Sequence, residues 1–268
     1  MPEKISSTSN PRIKNLIQLQ SKSRERRNQN RIVIEGAREI FRAVKAGFLL
    51  RELYYCSEFD RDDRVGELVH LLPDYSVFNI SPTVFEKVAY REGSDGIIAI
   101  VEPRNLRLED INFGENPLFI VLESVEKPGN LGAVMRTADA AKVDAVIICD
   151  PLTDLYNPNT IRSSVGCIFT CPVVAGTTEE VRKWLFVKHI NTYAAALSDT
   201  AEYYHLKDYT LPTAFIMGTE ATGLSGSWLE HCTSQVIIPM RGIADSLNVS
   251  VSAAILVFEA MRQRNFEV

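Results

Sequence analysis

The sequence predicts an α/β protein of two units, a smaller one at the amino end and a larger one at the carboxyl end. Three observations carry this expectation. Apolar runs of strand length alternate with stretches of helical apolar spacing along most of the chain. Pro103 to Pro117 is poor in apolar residues, ends in Gly114-Glu115-Asn116-Pro117, and splits that alternation in two. The later part also places Gly-bearing and polar clusters directly after strands, or at the mouth of a strongly apolar helix. The expected boundaries are residues 1–103, a linker over 104–117, and 118–268.

In the first unit, residues 10–29 are polar and Arg-rich, with Ile13, Leu16, Ile17 and Leu19 forming a weak helical stripe. Ile32-Val33-Ile34 reads as a strand. Glu35-Gly36-Ala37 leads into a helix through Val44 that Gly47 ends. Leu53–Cys56 is a strand, and Gly96–Val101 is another. Helices near Arg64–Leu72 and after Ser81 are separated by Val77-Phe78. In the second unit, Leu118–Leu122 is a buried strand, and Leu131–Ala141 is a helix with Leu131, Val134, Met135, Ala138 and Ala141 inward. Ala145–Cys149 is a strand, Pro158–Val165 helical, Cys171–Val174 extended and Glu179–Val187 helical. Thr192–Leu197, Ala214–Met217 and Ile237-Ile238 are further strands. From Val249 to Met261 a helix is apolar almost all round, with Val249, Ala253, Leu256, Val257 and Ala260 on one face and Val251, Ile255 and Phe258 on another. Such a helix is buried on both sides, against its own sheet and a second subunit. Ser246 and Asn248 are both suitable caps for its start.

Composition bounds the compartment and the partner. The chain has 268 residues, 46% hydrophobic and 24% charged, enough for a substantial core. The net charge of −5 argues against a nucleic-acid binder, but its distribution does not. Residues 1–51 hold 12 Lys/Arg against 4 Glu, a surplus of +8, and the rest of the chain carries −13. A basic arm on an acidic body has phosphate as its obvious partner. Arg12, Lys14, Arg24, Arg26 and Arg27 are therefore the candidate RNA contacts. Five cysteines, an odd number, and no recognisable signal peptide suit a reducing cytoplasm. Cys167-x3-Cys171 sits in an apolar, strand-like run without a nearby His, so no metal site is expected. No apolar run approaches the length of a membrane span.

Three clusters in the second unit carry chemistry. The first runs from Glu123 to Asp139, between a strand and a helix, with Pro128, Gly129, Asn130, Gly132 and Arg136. A glycine-bearing turn of this kind suits ligand binding at a helix amino terminus. Its glycines do not make a dinucleotide fingerprint, and there is no P-loop lysine. Taken alone, Asn130 reads better as a simple helix cap and Arg136 as a surface partner of Asp139. The second cluster is Gly218-Thr219-Glu220-Ala221-Thr222-Gly223-Leu224, where a strand ends in glycine and a second glycine turns the chain again. Such a loop lays bare backbone beside a ligand. The third runs from Ile238-Pro239-Met240 to Ser246-Leu247-Asn248-Val249-Ser250.

In that order, Pro128-x-Asn130-x-Gly132-x3-Arg136, Gly218-x-Glu220-x2-Gly223-Leu224 and Ile238-Pro239-Met240 with Ser246–Ser250 resemble the three motifs of the SpoU/TrmH family of RNA ribose 2′-O-methyltransferases, in the SPOUT superfamily. The resemblance spans 118–264. Phe258-Glu259 stands where relatives often have Tyr-Glu. The first unit is similar to that family's substrate-binding domain, related to ribosomal protein L30e. Its Asn10-Pro11-Arg12-Ile13-Lys14 and Ile34-Glu35-Gly36 resemble the ribosomal RNA subgroup.

The resemblance implies an L30e-like α/β domain followed by a SPOUT domain with a trefoil knot, an exception to the rule that chains do not thread. It also implies a homodimer and S-adenosylmethionine as cofactor. Ala196, Leu197, Gly218, Glu220, Gly223, Ile238, Met240 and Leu247 would line the cofactor, with Arg136, Asn130, Glu220, Ser246 and Asn248 as the catalytic set. The residue matching Arg136 is proposed as the base in the family. A guanidinium is effectively always protonated, however, so positioning RNA and stabilising a developing alkoxide is the competing role. The expected function is 2′-O-methylation of ribose in RNA, with ribosomal RNA as substrate. The alternatives are a tRNA ribose methyltransferase, a knotted base methyltransferase and a non-catalytic RNA-binding protein.

Overall fold

In the second half of the chain, strand after strand is apolar on both faces, the mark of a parallel sheet covered by helices on each side. The computed structural model bears this out. It describes residues 3–60, 64–73, 76–90, 93–219 and 222–267. The chain forms two compact units, one of Met1–Arg104 with Asp154–Thr170, the other of Asn105–Thr153 with Cys171–Val268.

The first unit holds β1 (Glu3–Ile5), α1 (Pro11–Ser21), α2 (Ser23–Gln29), β2 (Ile32–Glu35), α3 (Ala37–Lys45), β3 (Leu50–Tyr55), α4 (Arg64–Val69), β4 (Val77–Ile80), α5 (Pro82–Val88) and β5 (Ile97–Val101). Its sheet order is β1-β4-β3-β5-β2. β1 and β3 run parallel to β4, while β5 is antiparallel to both β3 and β2. Asn10 starts α1 by accepting the Arg12 N–H at 2.8 Å, and Pro11 occupies a position that needs no donor. Ser81 and Pro82 do the same for α5. Ile13, Leu16 and Leu19 of α1 are fully buried with Tyr54, Phe78 and Ile98. Strand β1 escaped the sequence reading because three residues, of which Ile5 alone is buried, leave no period to detect.

Residues 154–170 form α7 (Pro158–Ser163) and α8 (Cys167–Thr170) and pack into this first unit. Phe48 meets Phe169 at 5.0 Å and Tyr156 at 6.1 Å between ring centres, and Arg42 donates to the Val165 carbonyl at 2.6 Å. The cut at 104–117 expected from the sequence did not foresee this excursion. The strand-like expectation for Cys167–Cys171 is corrected as well. Val165 (φ 56) and Gly166 (φ 79) turn the chain, and Cys167–Thr170 is a helical turn.

The second unit holds β6 (Leu118–Glu123), α6 (Pro128–Ala140), β7 (Ala145–Cys149), β8 (Val173–Gly176), α9 (Thr178–Val187), β9 (Asn191–Ala195), β10 (Glu202–Tyr203), β11 (Thr213–Met217), α10 (Gly226–His231), β12 (Ser234–Ile237) and α11 (Val249–Gln263). The sheet is parallel in every pairing, in the order β10-β12-β9-β11-β6-β7-β8. Central β11 is buried at every residue, as are β6 and β7. The stretch 104–117, expected as a linker, carries apolar anchors. Leu106 bridges Val174, Leu108 and Ile111 are buried, and Phe113 packs edge-on to Phe119 and Trp184.

Helix α11 starts at Asn248, whose side chain accepts the Ser250 N–H at 3.0 Å, so of the two candidate caps Asn248 fills the position. Ala253, Leu256, Val257, Ala260 and Met261 are buried against α6 and β11. At its far end Arg264 donates to the carbonyls of Asn116 and Leu211, at 2.7 and 2.8 Å, just ahead of β6 and β11. The helix therefore lies antiparallel over those two strands. Val251 and Phe258 of its second apolar face are 46% and 42% exposed. Among the described residues, no helix is long and apolar enough to cross a membrane.

Candidate functional site

In a parallel sheet all strands end at one edge, and ligands bind in crevices along it. Ala196 and Leu197 follow β9, Gly218 follows β11, and Ile238 follows β12. These strands are neighbours in the order β12-β9-β11, and Ala196 N–H donates to Val236 O at 3.1 Å. Residues scattered through the sequence thus meet at one edge. Ala196, Gly218, Ile238 and Met240 are half-buried, while Leu197, Gly223 and Leu247 are exposed.

The chain then leaves β12 beyond β9, yet its next element, α11, packs on α6 and β11. Residues 238–248 therefore cross the carboxyl ends of β9 and β11. They have no regular structure, and Arg241–Asn248 are exposed. Among the described residues, no backbone–backbone hydrogen bond outside the regular elements involves Met240–Leu247.

Gly218 is required for a reason the sequence did not supply. Thr219 and Gly223 exchange backbone hydrogen bonds at 3.2 and 3.1 Å, which folds the loop back on the strand end. A Cβ on Gly218 would fall on the backbone of Gly223 and Leu224. Gly223 has φ +68, and a Cβ there would meet nothing within 4 Å. Glu220, a candidate for both catalysis and cofactor contact, lies outside the described residues, as does Ala221.

The first and third clusters meet at the mouth of α11. Asn248 Nδ2 donates to Asn130 Oδ1 at 3.2 Å, bringing together residues 118 positions apart. Asn248 Oδ1 also accepts the Ser250 hydroxyl at 2.7 Å. Ser246 is exposed and donates to Asp245 Oδ1 at 3.3 Å. Arg136 is six residues beyond Asn130 on α6. That is a rise of about 9 Å and a rotation of about 240°, so the two point in different directions. The buried face of α6 is Leu131, Gly132, Val134, Met135 and Ala138, and Arg136 is exposed.

Sequence reasoning missed Glu123. It ends β6, is 7% exposed, and accepts the Ser225 N–H at 2.8 Å and the Ser225 hydroxyl at 2.7 Å. Thr178 Oγ1 lies 3.1 Å from the same carboxylate and 2.7 Å from Asp150. The only signal was an acid closing an otherwise apolar strand run. Beside them, burial and the Glu123 and Asp150 carboxylates push the Cys149 thiol up to about 12. It stays a protonated, inert thiol.

Among the candidate RNA contacts of the first unit, Lys14, Arg24 and Arg27 are exposed on α1 and α2. Arg12 lies over the Phe78 ring at 4.4 Å and 3.6 Å from Glu52, with nearly half its side chain exposed. Arg26 is a correction. It is 4% exposed, pairs with Asp154 at 2.6 Å, and donates to the Leu19 and Gln20 carbonyls. It holds α2 to α1 and to the 154–170 excursion and has no donor face turned to solvent. Arg31 and Arg51 likewise share Glu102, and Arg38 pairs with Glu39. Much of the basic surplus counted from the sequence is thus neutralised inside the unit.

Both parts of the chain match known families. Residues 117–258 match the SpoU rRNA Methylase family, and residues 10–99 match the MRM3-like substrate binding domain. The chain is 30% identical over 258 residues to the 23S rRNA (guanosine(2553)-2′-O)-methyltransferase RlmP of Bacillus subtilis, covering 96% of this chain and 98% of that one. A crystal structure of an RNA 2′-O ribose methyltransferase is similar at TM-score 0.85 and 39% identity, covering 98% and 99% of the two chains. An AdoMet-bound rRNA methyltransferase from Sinorhizobium meliloti is similar at TM-score 0.88 and 27% identity, covering 97% of each.

Proposed function

The chain belongs to the SpoU rRNA Methylase family, and from that premise we propose that it is an S-adenosylmethionine-dependent methyltransferase acting on the 2′-hydroxyl of a ribose in ribosomal RNA. The observation that carries this is the meeting of the three sequence clusters at one edge of the parallel sheet, with Asn130 and Asn248 in contact. The edge fits the cofactor. Gly218 leaves no space for a side chain, and the half-buried Ile238 and Met240 offer an apolar lining beside backbone groups suited to an adenine. The bound cofactor supplies an electrophilic methyl on a sulfonium.

The residues then have distinct tasks. Ala196, Leu197, Gly218, Gly223, Ile238, Met240 and Leu247 hold the cofactor, with Glu220 as a further contact. Asn130 and Asn248 fix the mouth of α11 beside it. Arg136 would bind the RNA phosphate and stabilise the negative charge that develops on the ribose oxygen as its proton passes to solvent water and the oxygen takes the methyl, since a guanidinium does not serve as a base. Ser246 orients the ribose. The crossing of 238–248 over the ends of β9 and β11 supports a trefoil knot in this segment. Exposed Ile243, Val251 and Phe258 on that segment and on α11 support a homodimer that covers them. All five cysteines are free, which supports a reducing cytoplasm.

The functional test is to incubate the purified chain with ribosomal RNA and labelled cofactor, digest the product and locate the methyl group. A methyl on a base nitrogen or carbon, or no transfer at all, overturns the reading.

We assign RNA affinity to Lys14, Arg24 and Arg27, with Arg12 beside them. Changing Lys14, Arg24 and Arg27 together to Ala should reduce the slope of log affinity against log salt by about 2, roughly 0.7 per phosphate lost, with the melting temperature unchanged. Arg26→Ala should do the reverse. It leaves Asp154 and two carbonyls without their donor, costing on the order of 3 kcal/mol, while the salt slope stays. Filter binding across a salt series, with thermal unfolding of each variant, separates the two. A slope unmoved by the triple change overturns the assignment.

A further inference from the structure

Glu123 is a buried carboxylate with no task in the mechanism above, and two segments far from it in sequence converge on it. Its Oε2 accepts the Ser225 N–H at 2.8 Å and its Oε1 accepts the Ser225 hydroxyl at 2.7 Å, across 102 positions of chain. Thr178 at the start of α9 lies 3.1 Å from Oε1. Ser225 is the residue before α10, a position where a serine side chain ordinarily caps the helix, yet it makes no cap bond. Its hydroxyl is committed to Glu123 instead.

We propose that Glu123 is a positioning residue for the cofactor: its carboxylate fixes the height of the turn closed between Thr219 and Gly223 above the end of β11. The inference rests on the functional reading given above. The turn is bound to itself by the Thr219–Gly223 hydrogen bonds, which close it but do not place it. Placement comes from its two ends. Gly218 continues β11 directly, and the other end is held by burial of Leu224 and by the two hydrogen bonds that Ser225 donates to Glu123. A two-point grip on one residue sets both distance and direction, as a single hydrogen bond does not. Without the carboxylate the Ser225 N–H loses its acceptor, and the turn is free to move off the strand end.

The test is calorimetric titration of S-adenosylmethionine into the full-length chain, with thermal unfolding of each variant. Glu123→Ala should weaken binding at least about tenfold at a temperature where it is fully folded. Glu123→Gln should return affinity to within about threefold of wild type. Its amide oxygen still accepts the Ser225 N–H, and its NH2 group donates to hydroxyls that can accept. Ser225→Ala, which deletes the hydroxyl bond alone, should weaken binding about fivefold and covers the case in which Glu123→Ala fails to fold. A residue that only stabilised the fold would lower the melting temperature and leave affinity alone. Unchanged affinity in Glu123→Ala or in Ser225→Ala overturns the proposal, as does a loss that Gln does not restore. A wild type that binds no S-adenosylmethionine overturns the functional reading and this inference with it. A wild type that binds normally beside an unaffected Glu123→Ala overturns the inference alone.

Discussion

Arg136→Ala should bind S-adenosylmethionine normally and lose methyl transfer by a factor of about 10²–10³, the cost of removing one charge-stabilising donor from a reacting centre. The variant should stay folded, because Arg136 is exposed and the core-facing side of α6 is elsewhere. The same placement bears on which subunit it serves. Arg136 is turned about 240° around α6 from Asn130, and Asn130 is the residue in contact with Asn248 of its own chain. We propose that in a homodimer Arg136 serves the cofactor edge of the partner. Asn248→Ala should also be inactive, since it removes the cap of α11 and the tie to Asn130. Mixing the two inactive homodimers under conditions that exchange subunits then tests the sharing. If the site is shared, each heterodimer has one site with both lesions and one with neither. About half of the dimers are heterodimers after random exchange, so activity should return to roughly a quarter of wild type per protomer. If each site lies within one protomer, every site carries one lesion. No recovery, with exchange verified by mass spectrometry, rules the shared arrangement out.

Gly218→Ala should reduce cofactor affinity by at least about 100-fold, or roughly 2.7 kcal/mol. A single methyl is sufficient, because the Cβ position is already occupied by the backbone of Gly223 and Leu224. The turn has to open, and its contacts with the end of β11 go with it. Gly218→Val should be no milder. The sheet should survive in both, since β11 ends at Met217 and its five residues are buried among β9 and β6. Gly114→Ala is the internal control. A Cβ there meets nothing within 4 Å, and the residue is outside the cofactor contacts, so affinity should stay at the wild-type value. Calorimetry alongside circular dichroism reads the contrast. Equal affinity in wild type and Gly218→Ala would place the cofactor elsewhere.

The recognisable elements were those whose physics is local. Leu118–Glu123, Ala145–Cys149 and Thr213–Met217 are continuous apolar runs because each is buried on both faces, and that shows in any sequence window. Helix α1 showed in the stripe of Ile13, Leu16, Ile17 and Leu19, and α5 in its place after Ser81, which caps it within three residues. The short pieces β1, β10 and α10 gave no such signal, since none is long enough to complete a period.

The class of fold, the order of the main strands and helices, and the residue types gathered into three clusters can all be read along the chain. Each is set by spacing, and spacing is what a sequence records. Which of those residues meet depends on how the chain folds. The strand order β12-β9-β11 is not the order of synthesis, so the neighbourhood of Ala196, Gly218 and Ile238 exists only in the folded sheet. Charge behaved the same way. Arg24, Arg26 and Arg27 are one basic cluster in the sequence, yet the turn of α2 buries Arg26 on Asp154 and leaves the other two in solvent. Glu123 was missed for that reason. A buried carboxylate is stable only where donors converge on it, and its donors come from Ser225 and Thr178, partners that adjacency in the chain does not reveal.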